Sequence, residues 1–417
     1  MQENTKQNIN EKKFGDILES VKSFLLKQDS DSALRVITLW ALNIGVSDIH
    51  YDNTETDIVV RFRIDWVLED VFRLEKKEYK LLIERMKYSS GLKLNINHIP
   101  QDWKYSIDEN WWKIDIRVST LPIKWWENMV CRVLDSSKAI VDFKNLWLFW
   151  TSERMIKRAI NKKNWLILVT WPTGSGKTTT LYTILKEIST RDKKTITLED
   201  PIEYQLSSVI QSEINEKNWY TYDLWLKALL RQDPDIIMVW EIRDTETLNT
   251  AANASLTGHL VLSTLHTKSA GETLERIINM WIQPYILSSA VDTIVAQRLV
   301  RKICPHCKKE VEKTPWEKQI IDIMLKEIGM NALKSENTKI YKWEWCEHCS
   351  GSWYKGRIWI FEILTLSQKL RDLIKKWEST DKIIEEAKSL DFISLKQDGI
   401  IKAIKGHTTI EEIFRVL

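Results

Sequence analysis

Glycine is scarce in this chain: 12 of its 417 residues are glycine, where average usage is about 7%. Proline is sparse as well, with eight residues, which excludes a proline-rich, low-complexity protein. Basic and acidic residues nearly balance, 61 against 58, so the net charge does not point to nucleic acid. No apolar run approaches the roughly 18 residues of a membrane span, and the polar first 13 residues lack a secretory signal. We therefore expect a soluble, cytoplasmic protein of two or three domains.

Tryptophan, in contrast, is abundant, with 21 residues. Several tryptophans fall at apparent hairpin turns between β-prone stretches, following Asp65, Asp102, Asn110 and Lys124. Such turns take Asp-Gly, Asn-Gly or Gly-Gly because φ must be positive, and a Cβ there costs about 1–2 kcal/mol. We therefore predict that many Trp letters stand for glycine, as in a genetic code that reads UGA as glycine. The alternative is a genuinely tryptophan-rich protein whose loop indoles serve as binding anchors.

Cysteine is also rare, but four of the five cysteines form two Cys-x-x-Cys pairs. The pairs are Cys304 with Cys307 and Cys346 with Cys349. In a reducing compartment, such pairs are typical of metal or redox chemistry and not of a disulfide framework. They fit a four-thiolate zinc site, with His306 and His348 as alternative ligands and redox dithiols as the alternative function. Because four thiolates leave no open position, we expect the zinc ion to be structural.

The clearest motif is a phosphate loop, Gly-x-x-x-x-Gly-Lys-[Ser/Thr], whose first glycine is written as tryptophan. Its residues are Trp171, Pro172, Thr173, Gly174, Ser175, Gly176, Lys177, Thr178 and Thr179. The apolar run 166–170 before it predicts a buried strand, and the residues from Lys177 onward predict a helix, which is the order this loop requires. Backbone N–H groups would hold the triphosphate, Lys177 would reach the β- and γ-phosphates, and Thr178 would bind Mg²⁺. The sequence thus predicts an ATP site with Mg²⁺; the alternative is an ordinary glycine-rich turn.

Carboxylates and histidines flank the other apolar strands predicted for this region. They are Glu199 at the end of strand 195–199, Glu241 after strand 236–240, and His259 and His266 on either side of strand 260–265. Ligands bind at the carboxyl ends of parallel strands. We expect Glu241, in a Walker B pattern, to activate water or hold the Mg²⁺ shell, and Glu199 to add a carboxylate. The two histidines are candidate sensors of the γ-phosphate, with a structural role as the alternative.

The order of elements predicts four parts. They are a polar tail at 1–30, an α+β domain with an antiparallel sheet at 31–140, a linker at 141–160, and an α/β domain with a parallel sheet at 161–417. The last part includes the cysteine insert, 304–349, and charged helices at 365–417. In the first domain we predict helices at 33–44 and 76–90, and strands at 57–65, 104–108, 113–121 and 128–134. Strand arginines are usually solvated, which is our expectation for Arg61 and Arg63.

Together these segments resemble the secretion and pilus ATPase family, which includes the type II secretion ATPase E and the type IV pilus assembly ATPases. The matching segments are Ser47–His50, Arg61–Asp65, Pro100–Asp102, Asp115–Pro122, the phosphate loop, Thr197–Glu203, Leu230–Asp235, Glu241–Asp244, Thr257–Thr267, Gln297–Arg301, the four cysteines and Tyr354–Arg357. Where that family shows glycine, this chain often shows tryptophan. The positions are Trp66, Trp103, Trp126, Trp171, Trp240, Trp281, Trp345, Trp353 and Trp359. The resemblance therefore supports the glycine prediction independently of the turns.

The resemblance implies a RecA-like P-loop NTPase domain preceded by a PAS-like α+β domain, with a small zinc-binding insert. It implies a homo-hexamer whose subunits bind ATP on the second domain, with Glu241 as the catalytic base. Arg117 and Arg132, on neighbouring strands of the first domain, would reach the phosphates when the domains close.

The same resemblance implies a motor that drives pilus or pseudopilus assembly, or type II secretion. Its partner would be an inner-membrane platform protein, so the location would be cytoplasmic and peripheral to the inner membrane. We expect no direct contact with nucleic acid. The four cysteines favour assembly or secretion over retraction ATPases, which generally lack them. The alternatives are a RecA-like nucleic-acid motor, a retraction or DNA-uptake ATPase, and an assembly scaffold that does not hydrolyse ATP.

Overall fold

The computed structural model divides the chain into two compact units. One contains the residues up to 139 together with 347–352, and the other contains 140–346 and 353–417. The residues described are 17–65, 67–109, 112–135, 142–146, 148, 150–170, 177–214, 222–280, 282–328, 338–343, 346, 349, 352–390 and 392–417.

The first unit is built on a six-stranded antiparallel sheet with the order β3-β2-β1-β6-β5-β4. Its elements are α1 (17–26), α2 (Ser30–Asn43), β1 (Val46–Asn53), β2 (Ile58–Ile64), β3 (Val67–Leu74), α3 (Lys76–Ser89), β4 (Gln101–Glu109), β5 (Trp112–Ile123) and β6 (Trp126–Asp135). Apolar residues at alternate positions of β1 and β2, such as Tyr51, Ile58 and Phe62, share one core with α2 and α3. The predicted helices and the strand at 57–65 match α2, α3 and β2.

Two strands of this sheet, β1 and β3, were not predicted from the sequence. Strand β1 carries the polar residues Ser47, His50 and Asp52 between its buried residues, and one of the buried residues is the charged Asp48. Strand β3 buries little of its first half. Charged residues therefore mask the alternation on which strand prediction depends.

The second unit contains a seven-stranded sheet with the order β15-β12-β7-β11-β10-β8-β9. All neighbours are parallel except β15, which runs antiparallel to β12. The elements are a short 3-10 helix (Phe143–Leu146), α4 (Trp150–Ile160), β7 (Trp165–Thr170), α5 (Lys177–Ile188), β8 (Thr195–Glu199), β9 (Ile210–Glu213), α6 (Tyr222–Leu230), β10 (Ile236–Val239), α7 (Thr245–Leu256), β11 (Leu260–Leu265), α8 (Ala270–Asn279), α9 (Pro284–Ala290), β12 (Val291–Ile303), β13 (Lys308–Val311), α10 (Pro315–Glu327), β14 (Ile340–Trp343), β15 (Tyr354–Thr365), α11 (Gln368–Lys375), α12 (Thr380–Lys388), α13 (Leu395–Ile404) and α14 (Ile410–Val416).

The central strands of this sheet are apolar on both faces because helices cover both sides. Leu166 and Leu168 of β7 lie in one core, and Ile167 and Val169 lie in the other. Full burial of such a side chain stabilises the fold by about 1.5–3 kcal/mol. The strands predicted at 166–170, 195–199, 236–240 and 260–265 and the helix predicted from Lys177 match β7, β8, β10, β11 and α5, whereas β9, β12 and β15 were not predicted.

The stretch 141–160, interpreted above as a linker, contains the 3-10 helix and α4. Ile156, Ala159 and Ile160 are buried in the same core as Ile167. Their spacing of three and four residues places them on one side of the helix. This half of the stretch therefore packs within the second unit.

Several tryptophans adopt backbone conformations that glycine prefers. Among the described residues, φ is 116° at Trp126, 68° at Trp353 and 57° at Trp377. A φ of 116° lies beyond the left-handed region that side-chain-bearing residues reach, whereas glycine adopts it without a Cβ clash. Trp126 and Trp353 are two of the positions predicted to be glycine, so their backbone supports that prediction. Trp103, Trp240 and Trp359 do not have a positive φ. Trp103 lies within β4, so the hairpin turn predicted after Asp102 is wrong. The predicted positions Trp66, Trp171, Trp281 and Trp345 lie outside the described residues.

Candidate active site

The carboxyl ends of four parallel strands meet at one edge of the second sheet. In register, Thr170 of β7 lies beside Leu265 of β11, Val239 of β10 beside Ser263, and Leu198 of β8 beside Val239. The phosphate-loop sequence follows β7, and Glu241 and His266 follow β10 and β11. This edge is where ligands bind in parallel α/β sheets.

The helix that the phosphate loop requires is present, since α5 begins at Lys177 as predicted. Thr178 lies in its first turn and is 8% exposed, and Thr179 is half-buried. The loop itself and the side chain of Lys177 lie outside the described residues. The loop residues concerned are Trp171, Pro172, Thr173, Gly174, Ser175 and Gly176.

Glu241 is at the centre of a hydrogen-bonded cluster at this edge. His266 Nε2 lies 2.7 Å from Glu241 Oε2, and Arg243 Nε donates to Glu241 Oε1. The Glu241 side chain is 9% exposed, while those of His266 and Arg243 are nearly half exposed. The cluster therefore opens to solvent on the side of its nitrogen donors.

The charge on Glu241 follows from these contacts. Burial alone would raise the pKa of its carboxyl, but the hydrogen bonds from Arg243 and His266 and the positive charge of Arg243 outweigh burial and lower the pKa below its ordinary value. Glu241 is therefore an ionised carboxylate at neutral pH. Such a group can accept a proton from water held beside it.

Arg243 also joins this strand end to the next one. Its Nη2 lies 3.1 Å from Asp200 Oδ2, directly after β8. One guanidinium therefore bridges the two acidic segments that follow β8 and β10. Sequence reasoning did not select Arg243, although it lies in the Glu241–Asp244 segment.

Glu199 has a different environment, although β8 and β10 are neighbours. Its side chain is fully buried and accepts hydrogen bonds from Thr197 Oγ1 at 2.6 Å, from Gln211 Nε2 at 2.9 Å and from the Tyr182 hydroxyl. Burial raises the pKa of Glu199 despite these donors. Because Tyr182 belongs to α5 and Gln211 to β9, the carboxyl ties the phosphate-loop helix to two strands.

The two candidate histidines lie at opposite ends of β11. His259 precedes the strand, and its Nδ1 lies 2.9 Å from the carbonyl oxygen of Ala254 at the end of α7. A six-residue strand spans about 20 Å, so His259 does not reach the cluster around Glu241. The expectation that both histidines sense one phosphate is therefore corrected, and only His266 contacts Glu241.

The two candidate arginines of the first unit face each other in the sheet, since Arg117 of β5 pairs with Arg132 of β6. Arg132 Nε lies 2.9 Å from Asp48 Oδ1, and its side chain is 59% exposed. Arg63, expected to be solvated, lies 3.7 Å from the same carboxylate, and Arg61 pairs with Asp52. The arginines thus form part of a charged face of this sheet, with Asp48 at its centre.

The four predicted cysteines lie together. The Sγ atoms of Cys304, Cys307, Cys346 and Cys349 are all within 4.8 Å of one another. Cys304 Sγ and Cys346 Sγ are 3.9 Å apart, whereas a disulfide requires about 2.05 Å. Tetrahedral thiolates at a Zn–S distance of about 2.3 Å would be about 3.8 Å apart. The four sulfur donors and their spacing therefore fit a thiophilic cation with tetrahedral coordination.

Comparison with known proteins gives the family. A model of the type II/IV secretion system protein family matches residues 30–415. The type II secretion system protein E of Aeromonas hydrophila is 39% identical over 396 residues, which are 94% of this chain and 77% of that protein. The type IV pilus assembly ATPase PilB of Thermus thermophilus is 38% identical over 367 residues, which are 88% of this chain and 40% of that protein.

Solved structures show the same likeness. The pilus retraction motor PilT with bound ADP aligns with a TM-score of 0.61 at 25% identity, covering 91% of this chain and 95% of that one. The ATPase DotB of Legionella pneumophila aligns at 0.66 with 19% identity, covering 92% and 94%, which is a likeness of fold alone. This chain belongs to the type II/IV secretion system protein family. No helix in the described ranges combines the length and apolar character needed to cross a bilayer.

Proposed function

We propose that this protein is an ATP-hydrolysing motor of a pilus-assembly or type II secretion machine, with a RecA-like second domain. The observation that carries the proposal is the Glu241–His266 pair at the carboxyl edge of the sheet. An ionised carboxylate stands there, at the edge where β7, the strand that precedes the helix beginning with Lys177, also ends. Relatives named as ATPases match this chain over most of its length.

In this proposal, residues 171–179 bind the triphosphate of ATP. The 12-residue helix α5 directs its N-terminus toward the phosphates, with Lys177 on the β- and γ-phosphates and Thr178 as a ligand of Mg²⁺. Glu241 accepts a proton from the attacking water, and His266 orients Glu241. Bound Mg²⁺ would supply charge neutralisation at the phosphates.

The first domain, which we propose to be PAS-like, contributes arginines to the same nucleotide. Arg132 is largely exposed on the charged face of its sheet, next to Arg117. A guanidinium group can bind two phosphate oxygens in a bidentate manner. ATP would therefore draw the two domains together, and hydrolysis would release them.

The four cysteines are proposed to bind a structural zinc ion. Four thiolates would fill a tetrahedral coordination sphere, so the site would offer no open position for catalysis, and three of the four cysteines are buried. The cysteine insert also favours a pilus-assembly or secretion machine over a retraction motor, since this family's retraction motors generally lack such cysteines. We propose a homo-hexamer, cytoplasmic and peripheral to the inner membrane, that acts on a platform protein.

A retraction or DNA-uptake motor is the second candidate, because the retraction motor PilT aligns with most of this chain. In either case, Lys177→Ala should abolish ATP turnover, measured as phosphate release by the purified protein. Arg191→Gln is a control, since Arg191 is exposed at the amino end of β8, away from the carboxyl edge. Hydrolysis unaffected by Lys177→Ala would exclude the proposed site.

A further inference from the structure

Three threonine hydroxyls form a buried chain between β7 and α8. Thr170 is the last residue of β7, Thr267 follows β11, and Thr273 lies in α8. Their exposed fractions are 0%, 4% and 0%. A buried hydroxyl costs free energy unless it is hydrogen-bonded, and each of these three has hydrogen-bond partners.

Thr170 Oγ1 makes two hydrogen bonds to the main chain of Thr267. It accepts a hydrogen bond from the Thr267 N–H at 3.1 Å and donates to the Thr267 carbonyl oxygen at 3.0 Å. The two side-chain hydroxyls are also in contact. The backbone of Thr267 is thus fixed to the end of β7.

The chain continues into α8 with an acceptor for each proton. Thr267 Oγ1 lies 2.7 Å from Thr273 Oγ1, and Thr273 Oγ1 donates to the Ser269 carbonyl oxygen at 2.8 Å. Each hydroxyl then donates its one proton to a different acceptor: Thr273 to the Ser269 carbonyl oxygen, Thr267 to Thr273 Oγ1, and Thr170 to the Thr267 carbonyl oxygen. Thr170 is therefore joined to the other two hydroxyls through the main chain of Thr267, and every proton has an acceptor.

Thr170 and Thr267 are each next in sequence to a part of the candidate active site. Thr170 immediately precedes the phosphate-loop sequence, and Thr267 immediately follows His266, which bonds Glu241 at 2.7 Å. We propose that Thr170 is a positioning residue that sets His266, and through it Glu241, relative to the start of the phosphate loop. This role rests on the function proposed above and adds to it a link between nucleotide binding and the base.

The test is a Thr170→Val variant, which keeps the shape of the side chain but leaves the Thr267 N–H and carbonyl oxygen without their partner. We expect kcat for ATP hydrolysis to fall by about tenfold or more. Thr170→Ser keeps the hydroxyl and should stay within roughly twofold of wild type. Thr195→Val is the matched control, because the buried Thr195 hydroxyl, at the amino end of β8, has no hydrogen-bond partner among the described residues.

A second measurement separates positioning from a general structural effect. In a His266→Ala background, Thr170→Val should have no additional effect on kcat, because the residue acts through His266. Thr267→Val removes the link to Thr273 and the side-chain contact with Thr170 but keeps both main-chain hydrogen bonds of Thr267 to Thr170. It should therefore lower kcat less than Thr170→Val while ATP binding is retained.

Two results would overturn the proposal: a Thr170→Val enzyme with the kcat of wild type, or a loss that is undiminished in the His266→Ala background. Either result would leave the proposed function intact if Glu241→Gln is inactive. If Glu241→Gln turns over ATP normally, the base assignment itself fails, whatever Thr170→Val does.

Discussion

Glu241 and Glu199 stand at the ends of neighbouring strands, yet their surroundings differ in kind. Glu241 has two nitrogen partners, Arg243 and His266, and its pKa is lowered. Glu199 has three neutral donors and complete burial, and its pKa is raised. Proximity to a ligand-binding edge therefore does not by itself make a carboxylate catalytic. The groups that contact it decide whether it can take a proton from water.

The largest expected difference between the two residues is in turnover. Glu241→Gln should lower kcat by about 10²–10⁴-fold because the general base is lost. Glu199→Gln should lower it by at most about tenfold, because the amide preserves the shape of a buried anchor. Steady-state phosphate release measures both. Equal losses in the two variants would show that Glu199 shares the chemistry.

The next effect is on stability. Tyr182→Phe removes a hydroxyl that donates to the buried Glu199 carboxyl and should lower the free energy of unfolding by about 1–3 kcal/mol, as measured by urea denaturation. Tyr204→Phe is a control on a ring packed edge-on against Tyr182. If the free energy of unfolding is unchanged in Tyr182→Phe, the hydrogen bond from Tyr182 to the Glu199 carboxyl does not contribute to stability.

The raised pKa of Glu199 adds a pH dependence to stability. In the unfolded chain the carboxyl ionises near its ordinary pKa of 4.5, whereas in the folded chain it holds its proton to higher pH. The protonated Glu199 carboxyl therefore contributes fully to the free energy of unfolding below pH 4.5. This contribution is lost as the pH rises through the higher pKa of the folded state. Glu199→Gln lacks this loss, so its stability relative to wild type should increase over that window in urea titrations at several pH values.

A smaller shift is expected at Glu241. Arg243→Gln removes a cation that favours the ionised carboxylate, so the pKa of Glu241 should rise and the acid limb of the kcat/KM profile should move to higher pH by about one unit. Arg191→Gln should leave the profile in place. An unmoved acid limb in Arg243→Gln would mean that another group controls it.

Much of the active edge could be predicted from the sequence because its signals are local. The phosphate loop, the strand before it and the helix from Lys177 form one continuous motif. Glu241 also has a local signal, because it comes directly after the apolar stretch 236–240. The four cysteines were predicted to meet because ligand spacing in sequence reflects a metal site, and the structure places them together.

The remainder depends on tertiary contacts that no local pattern contains. His259 and His266 look equivalent in sequence, but the direction of β11 places them at opposite ends of a strand. Two of the three partners of Glu199, Tyr182 and Gln211, come from α5 and β9. Asp200, one of the partners of Arg243, follows β8. Likewise, the Thr170 hydroxyl is bonded to a residue 97 positions away. Such pairings appear only once the strand order is known.

The glycine prediction connects sequence and backbone most directly. Trp126 has a φ of 116°, a value expected for glycine and costly for an indole-bearing residue. If UGA encodes glycine in this gene, codons 126, 171 and 353 should be UGA, and the mass of the natural protein should be lower than the printed sequence gives. UGG at these codons would contradict the prediction.

The central claim is that Glu241 activates the water that cleaves ATP. Single-turnover hydrolysis of radiolabelled ATP by the Glu241→Gln protein tests it most directly, because binding and cleavage are then measured on the same bound nucleotide. We predict that the variant retains ATP and that the bound nucleotide is recovered uncleaved. Recovery of bound ADP at the wild-type rate would contradict the account.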